Sequence, residues 1–314
     1  MKRKVIQIGQ TSKIISLPKQ WADKNKIEKG DEISLNEVNN RLIIENPKFF
    51  QENTAEFEID KFDRTSIQLL IRSAYFSGVT KIILKYSKRK FIHYRDNTEK
   101  DVEAIINEEL MRISGYTLIE IDDQHAVIEL LSKDSPDDFM KFYTGALNEF
   151  ERAMNHVKVE CLEDVNFEGY HNKISLFLNM ASRNILNHHV VGQKYNLIFA
   201  LCRQLDQLLD IYKYFFRYYK RLNVKANPEL KSMVVKITDF NLAMTQYLKD
   251  AKYKNLTNMY ELKEKAKYDI IKLNDATKGE NLLFGYLSSI LEISFNILIS
   301  QETLNMIEAQ DDKV

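Results

Sequence analysis

The sequence predicts an α+β protein with strands first and helices last. Three observations carry this. Residues 2–47 hold short apolar segments of period two, residues 54–132 alternate strand and helix patterns, and from 135 onward the apolar spacing is helical with no competing strand pattern. The chain has 314 residues with only 9 Gly and 4 Pro, which fits a helix-rich protein long enough for two or three domains. The expected domains are 1–47, 54–132 and 135–310.

In the first domain, Val5–Ile8, Ile33–Leu35 and Leu42–Ile44 alternate as half-buried strands. Gly9 ends the first strand and opens a polar loop, Gln10 to Lys13, after which Ile14–Leu17 returns as a strand. Pro18 fits the first turn of a short helix to about Asn25, where its missing N–H costs nothing, with Trp21 on the inner side. Lys29-Gly30-Asp31 is a turn in which Gly30 takes a positive φ, and Asn39-Asn40 is the tip of a closing hairpin. Fewer than about 50 residues bury little core alone, so this segment is expected to pair with something. Residues 2–48 carry 10 basic and 6 acidic side chains, a local +4 on a chain whose 45 basic and 45 acidic residues cancel. Such a local excess is the footprint of a phosphate-contacting face; a small β-module that only dimerises, with solvated lysines, is the plainer reading.

Ile8-Gly9-Gln10-Thr11-Ser12, Ser16-Leu17-Pro18-Lys19-Gln20-Trp21, Lys29-Gly30-Asp31-Glu32-Ile33 and Leu42-Ile43-Ile44 together resemble the AbrB/SpoVT/MazE swapped-hairpin DNA-binding family. The resemblance implies a two-chain β-barrel with hairpins exchanged between protomers and a basic face toward double-stranded DNA. Arg3, Lys4, Lys13 and Lys19 flank the first strand, its loop and the helix start, and are expected to contact phosphates. Gln10, Thr11 and Ser12 are short polar side chains suited to phosphate oxygens or base edges.

Pro47 to Asn53 is polar and aperiodic, a linker. Beyond it the order is β-α-β-(β)-α-β-β: Phe57–Ile59, a helix over Arg64–Phe76 closed by Ser77-Gly78, strands at Lys81–Tyr86 and Lys90–Tyr94, a helix from Thr98 to Gly115 with Asp101 in a capping box, and a hairpin of Tyr116–Ile121 with His125–Leu130. This reads as a small α/β sandwich that spaces or dimerises the chain. It has no glycine-rich phosphate loop, and His93 and His125 stand singly, as ordinary histidines do.

Six helices follow, near 136–163, 167–188, 190–223, 228–252, 255–275 and 280–308, with starts at Ser135-Pro136-Asp137-Asp138 and Asn227-Pro228 and a break at Asn187-His188-His189. Long helices with short turns pack as antiparallel bundles, here two of three helices each. Leu201–Tyr212 (LCRQLDQLLDIY) and Leu287–Leu298 (LSSILEISFNIL) form a weak internal repeat in which Asp206 matches Glu292, Asp210 matches Asn296 and Ile211 matches Ile297. This is similar to the PhoU family, whose two three-helix repeats carry Glu-x-x-x-Asp followed four residues later by Asn-Ile. The order of head, α/β middle and helical tail resembles archaeal PhoU-type phosphate uptake regulators over nearly the whole chain.

The acids of that family bind metal clusters, but the upstream Glu is absent here: Cys202 and Ser288 stand in its place. Asp206 and Asp210 remain, four apart on one helical face, where two carboxylates can share a hard cation, with Glu168 as a third donor and Cys202 as a soft one. The competing expectation is a polar stripe paired with Arg203, Arg183 or lysines, and no tightly bound cofactor. Glu168-Gly169-Tyr170-His171 has the Glu-x-x-His spacing of a di-iron bundle, which needs two such motifs and finds one.

Cys161 and Cys202 lie in helical patterns, not in a disulfide framework, and the basic N-terminus breaks before any long apolar run, so a cytoplasmic chain is expected. Leu282–Ser300 is long enough to span a bilayer but carries Glu292, Asn296 and four serines, which favours a central bundle helix over membrane insertion. Tyr212, Phe215, Phe216 and Tyr219 share one helical face as core, with Lys213, Arg217, Lys220 and Arg221 interleaved. The chain is thus expected to be a non-enzymatic, homodimeric DNA-binding regulator of phosphate uptake. The alternatives are an adaptor on a phosphate transporter subunit or its kinase, with a head that only dimerises, and, more remotely, a MazE-like antitoxin.

Overall fold

A computed structural model describes residues 2–9, 11–38, 41–45, 53–132, 138–188, 194–223, 227–250, 256–271 and 278–311. The chain divides into two compact units, Met1–Glu52 and Asn53–Val314.

The first unit is two hairpins and one short helix. β1 (Ile6–Ile8) pairs antiparallel with β2 (Ser12–Ile14), and β3 (Ser34–Val38) pairs with β4 (Arg41–Glu45). α1 (Lys19–Lys24) is capped by Pro18, whose carbonyl accepts from the N–H groups of Trp21 and Ala22 at 3.0 Å each. Gly9 (φ +66°) and Gly30 (φ +98°) take the left-handed backbone that their turns need. The second strand is earlier than its apolar pattern suggests: it is Ser12–Ile14, not Ile14–Leu17. Ile8 pairs with Ser12, so the register is set close to Gly9 and does not follow the run of apolar residues. The expected hairpin tip Asn39-Asn40 and most of the linker lie outside the described residues.

The second unit contains two hydrophobic cores. The first belongs to an α/β layer: β5 (Thr54–Glu58), α2 (Arg64–Phe76), β6 (Lys81–Lys85), β7 (Lys90–His93), β8 (Thr98–Asp101), α3 (Val102–Leu110), β9 (Tyr116–Ile121) and β10 (His125–Leu130). The main sheet has the order β5-β6-β10-β9, with β5 parallel to β6 and the other pairs antiparallel. β7 and β8 form a separate hairpin. Ile82, Leu84, Ala126 and Ile128 are fully buried with Ile67 and Ile71 of α2 and Ile105 and Ile106 of α3. Each such isoleucine is worth about 1.5–3 kcal/mol of burial. The intervening residues face away: Lys81 pairs with Glu129 at 2.7 Å, and Lys85 with Glu56. Residues 98–101 are a strand, not the start of a helix. Asp101 is itself the N-cap of α3, accepting from the Glu103 N–H at 2.9 Å, because pairing with β7 extends the chain up to that point. Asp63 caps α2 in the same way, and Gly78 (φ +79°) closes it.

The second core is helical: α4 (Phe139–Glu160), α5 (Phe167–His188), α6 (Tyr195–Leu222), α7 (Pro228–Lys249), α8 (Leu256–Ile271) and α9 (Lys278–Asp311). α4, α5 and α6 pack as consecutive neighbours, as do α7, α8 and α9, while α4 lies on α7 and α6 on α9. Asn227 caps α7, with Pro228 in its first turn. The expected start of α4 at Ser135-Pro136-Asp137 lies outside the described residues. Among the described residues one stretch, Gly279–Ile307, is long and apolar enough to cross a membrane by length and composition, but Leu283, Leu287, Ile290, Leu291, Ile297 and Leu298 of that helix are buried in the bundle core.

α2 and the end of α3 meet α5 and α6. Arg183 of α5 donates to the Tyr116 hydroxyl at 2.8 Å and to the Tyr75 carbonyl, with its guanidinium 5.2 Å from the Tyr116 ring and 4.8 Å from the Tyr75 ring. Asn179 donates to the Arg112 carbonyl at 2.9 Å, and Arg203 lies 5.0 Å from the Phe76 ring.

Candidate functional site

Two places carry the chemistry expected from the sequence. In the first unit, Arg3, Lys4, Thr11, Ser12, Lys13 and Lys19 are all exposed, and Gln10 lies outside the described residues. The β1–β2 register places Lys13 opposite Gln7, and both project from the face opposite to Ile6, Ile8 and Ile14. The hairpin therefore has a polar side with a lysine and an apolar side that the described residues of its own unit leave exposed. Val5, Ile6, Ile8, Ile14, Ile15, Leu35 and Leu42 are each between 44 and 62 % exposed. That much apolar strand surface on so small a unit marks an interaction face.

In the second unit, Asp206 and Asp210 lie on α6 facing α5. Ser175 donates to Asp206 at 2.7 Å and Arg203 approaches it at 3.5 Å. Asp210 meets His171 Nε2 at 2.9 Å and accepts from Lys213. Burial works against ionisation of Asp210, but the His171 and Lys213 contacts overrule it and hold the carboxyl well below the usual range. Glu168 does not join them; both its oxygens accept from Arg217 at 3.1 Å. Cys202 is fully buried, and burial pushes its thiol up to about 11, so it is a neutral core residue in this environment.

The matching position on α9 is built by the same rule. Glu292 accepts from Lys267 at 2.9 Å and pairs with Lys263 at 3.1 Å, both on α8. In the first half two acids of the last helix each meet one residue of α5, Asp206 with Ser175 and Asp210 with His171, whereas Glu292 alone meets both Lys263 and Lys267 of α8. The expected pairing with Arg203 or lysines is present in Arg203–Asp206, Lys213–Asp210 and the two α8 lysines, Arg183 is engaged elsewhere, and Ser175 and His171 are the partners that sequence reasoning missed. The carboxylates here are held by the protein's own cations and hydroxyls.

Among the described residues one other group could gather a metal ion: Glu120, Asp122 and His125 at the β9–β10 turn. His125 already spans the two carboxylates, at 3.3 and 2.8 Å, and Asp122 accepts from the backbone N–H groups of Gln124 and His125 at 2.7 Å each. This is a self-satisfied turn.

Compared with known proteins, residues 6–50 match the family described as antidote-toxin recognition MazE, bacterial antitoxin. No curated protein and no solved structure matches the chain. The N-terminal unit thus carries a MazE/AbrB-like domain, consistent with a DNA-binding regulator, followed by a mixed α+β and largely helical remainder.

Proposed function

We propose that the chain is a homodimeric DNA-binding transcriptional regulator whose helical region senses or docks a component of phosphate uptake. The observation that carries the DNA-binding part is the exposed apolar face of the β1–β2 hairpin beside the exposed cations Arg3, Lys4, Lys13 and Lys19, within a segment matched by the MazE family. Two copies exchanging hairpins would cover Ile6, Ile8 and Ile14 and repeat the basic set by two-fold symmetry. Lysine and arginine on phosphates release counterions, so binding is steeply salt-dependent. A head without a long recognition helix reads sequence modestly and reads shape in addition.

The phosphate assignment rests on the resemblance of the three-part chain and of the acids Asp206, Asp210 and Glu292 to PhoU-type regulators. It implies a phosphate transporter subunit as a partner and no catalysis.

The test is a salt series of DNA affinity. Arg3→Ala with Lys4→Ala removes four cations from a dimer and is expected to weaken binding to all sequences and to flatten the slope of log affinity on log salt by up to roughly three to four. Lys265→Ala, at an exposed pair with Glu261 on α8, should change neither. Full DNA affinity after the head changes refutes the assignment and favours an adaptor whose head only dimerises.

A further inference from the structure

Tyr214 on α6 is surrounded by cations. Arg95, in the turn between β7 and β8, donates from Nη2 to the Tyr214 hydroxyl at 2.8 Å, and its guanidinium lies 5.2 Å from the ring centroid. Lys213 Nζ lies 5.1 Å and the Arg217 guanidinium 5.8 Å from the same centroid. Arg112, just beyond α3, reaches α5 at Asn172, the residue after the His171 that meets Asp210. Burial lowers the Lys213 ammonium, Asp210 pulls it back up, and Arg112 and Arg217 push it down again.

Only part of this charge is balanced. Asp210 is committed to Lys213 and His171, and Glu168 to Arg217. Arg95 and Arg112 have neutral partners: Tyr214 for the first, and the Asn172 side-chain oxygen, at 3.3 Å, for the second. Neither makes an ion pair among the described residues. Among the described residues, Arg95, Arg112, Lys213 and Arg217 thus have two carboxylates committed to them, and Glu109, near Arg112, is already neutralised by Arg72, which leaves an excess of two at a partly desolvated seam. Like charges gathered there repel, and a multivalent anion relieves them. A phosphate group carries about −1.5 to −2 at pH 7, and its tetrahedral oxygens suit the planar forks of arginine.

We propose that this seam, between the α/β layer (Arg95, Arg112) and the helical bundle (Lys213, Tyr214, Arg217), is an oxyanion site that takes a phosphate group. The ligand bridges the two cores, so its binding favours one arrangement of α6 against the β7–β8 hairpin. Only the consequence for DNA rests on the proposed function; binding itself does not.

The experiment is thermal unfolding of the full-length protein titrated with inorganic phosphate, with sulfate and chloride at matched ionic strength. Phosphate is expected to raise the midpoint saturably and sulfate to act less. Arg95→Gln and Arg112→Gln should each raise the half-saturating concentration by about tenfold. Glu168→Gln frees Arg217 from its competitor and should lower that concentration about two- to fivefold, a gain that no structural damage produces. Arg95 is exposed, so its variant and that at Glu168 keep the test if Arg112→Gln fails to fold. A saturable response to a nucleoside monophosphate but not to inorganic phosphate supports the site with a phosphorylated small molecule as its ligand. Equal effects of phosphate and sulfate that persist in all three variants overturn it. So does loss of DNA binding, without any phosphate response, on replacing Arg95 and Arg112, since the cations then serve nucleic acid. A chain that binds phosphate but no DNA refutes the regulator and leaves this site standing, whereas a chain that binds DNA but responds to neither inorganic phosphate nor the nucleoside monophosphate sinks the site alone.

Discussion

Arg72 and Glu109 join α2 to α3 through two parallel N–H···O bonds, 2.6 Å from Nε and 2.8 Å from Nη2. Glu109 is fully buried, and burial pushes its carboxyl above the ordinary 4.5 even with the guanidinium beside it. Removing one partner of such a pair leaves an uncompensated buried charge. Arg72→Met is therefore expected to destabilise the protein by about 3–5 kcal/mol at neutral pH, and Arg72→Met with Glu109→Met by much less. The sign with pH follows. An acid whose folded pKa is raised binds protons better folded than unfolded, so the single variant recovers stability toward acid and loses it as pH rises above 4.5. Urea unfolding at pH 5 and pH 8 checks both statements.

That pair shows what a single sequence conceals. Gly9, Gly30, the Pro18 helix start, the Gly78 cap and the Asn227-Pro228 start were legible because each is a local backbone requirement met by the residue in place. Arg72 and Glu109 lie 37 residues apart, and Arg183 and Tyr116 67 apart, and no local period reports such pairs. The strand at Thr98–Asp101 was hidden because its residues, Thr-Glu-Lys-Asp, are polar and are extended only by pairing with Lys90–His93. Asp206 and Asp210 were visible from their spacing. Their pairing with Arg203 and a lysine was legible too, but the partners on α5 were not, since Glu168, the expected third donor, turns to Arg217 while His171, three residues on, takes Asp210.

Asp210 gives a second pH dependence, of opposite sign. Its folded carboxyl lies well below its ordinary 3.8, so its contribution is fully present above 3.8 and is lost as pH falls below it. Asp210→Asn should lower stability at pH 7 and weaken its dependence on pH below about 4. Thermal midpoints of wild type and variant between pH 3 and pH 7 should converge toward acid. Because Lys213, His171, Lys263 and Lys267 already hold the acids of both halves, elemental analysis of the purified protein should find no stoichiometric iron or zinc.

A buried polar chain ties α6, α7 and α9 together. Asn241 donates to the Tyr212 hydroxyl at 2.9 Å and accepts from Ser294 at 2.6 Å, and Asn241 and Ser294 are fully buried. Asn241→Leu leaves two hydroxyls without partners, each costing about 1–3 kcal/mol. The variant should unfold at lower urea, and Asn241→Leu with Ser294→Ala and Tyr212→Phe should regain part of the loss. A triple variant no more stable than the single one would show that packing volume, not hydrogen bonding, dominates at this junction.

The head offers the test of assembly. Ile8 is 57 % exposed in a single chain and shares its strand face with Ile6 and, across the turn, Ile14. If a second copy covers that face, Ile8→Lys forces an unpaired ammonium into the interface at a cost of several kcal/mol, enough to weaken association by about a hundredfold or more. The variant should sediment as a monomer at micromolar concentration while its far-ultraviolet circular dichroism stays helical, because the helical core lies entirely between Phe139 and Leu304. DNA affinity should fall together with dimerisation, since each protomer then presents Arg3, Lys4, Lys13 and Lys19 once instead of twice. Lys13→Ala should show the reverse pattern: on the opposite strand face, it leaves the dimer intact and lowers DNA affinity alone. A wild-type chain that sediments as a monomer, or an Ile8→Lys variant that remains dimeric, would place the interface elsewhere and leave the exposed isoleucines for a different partner.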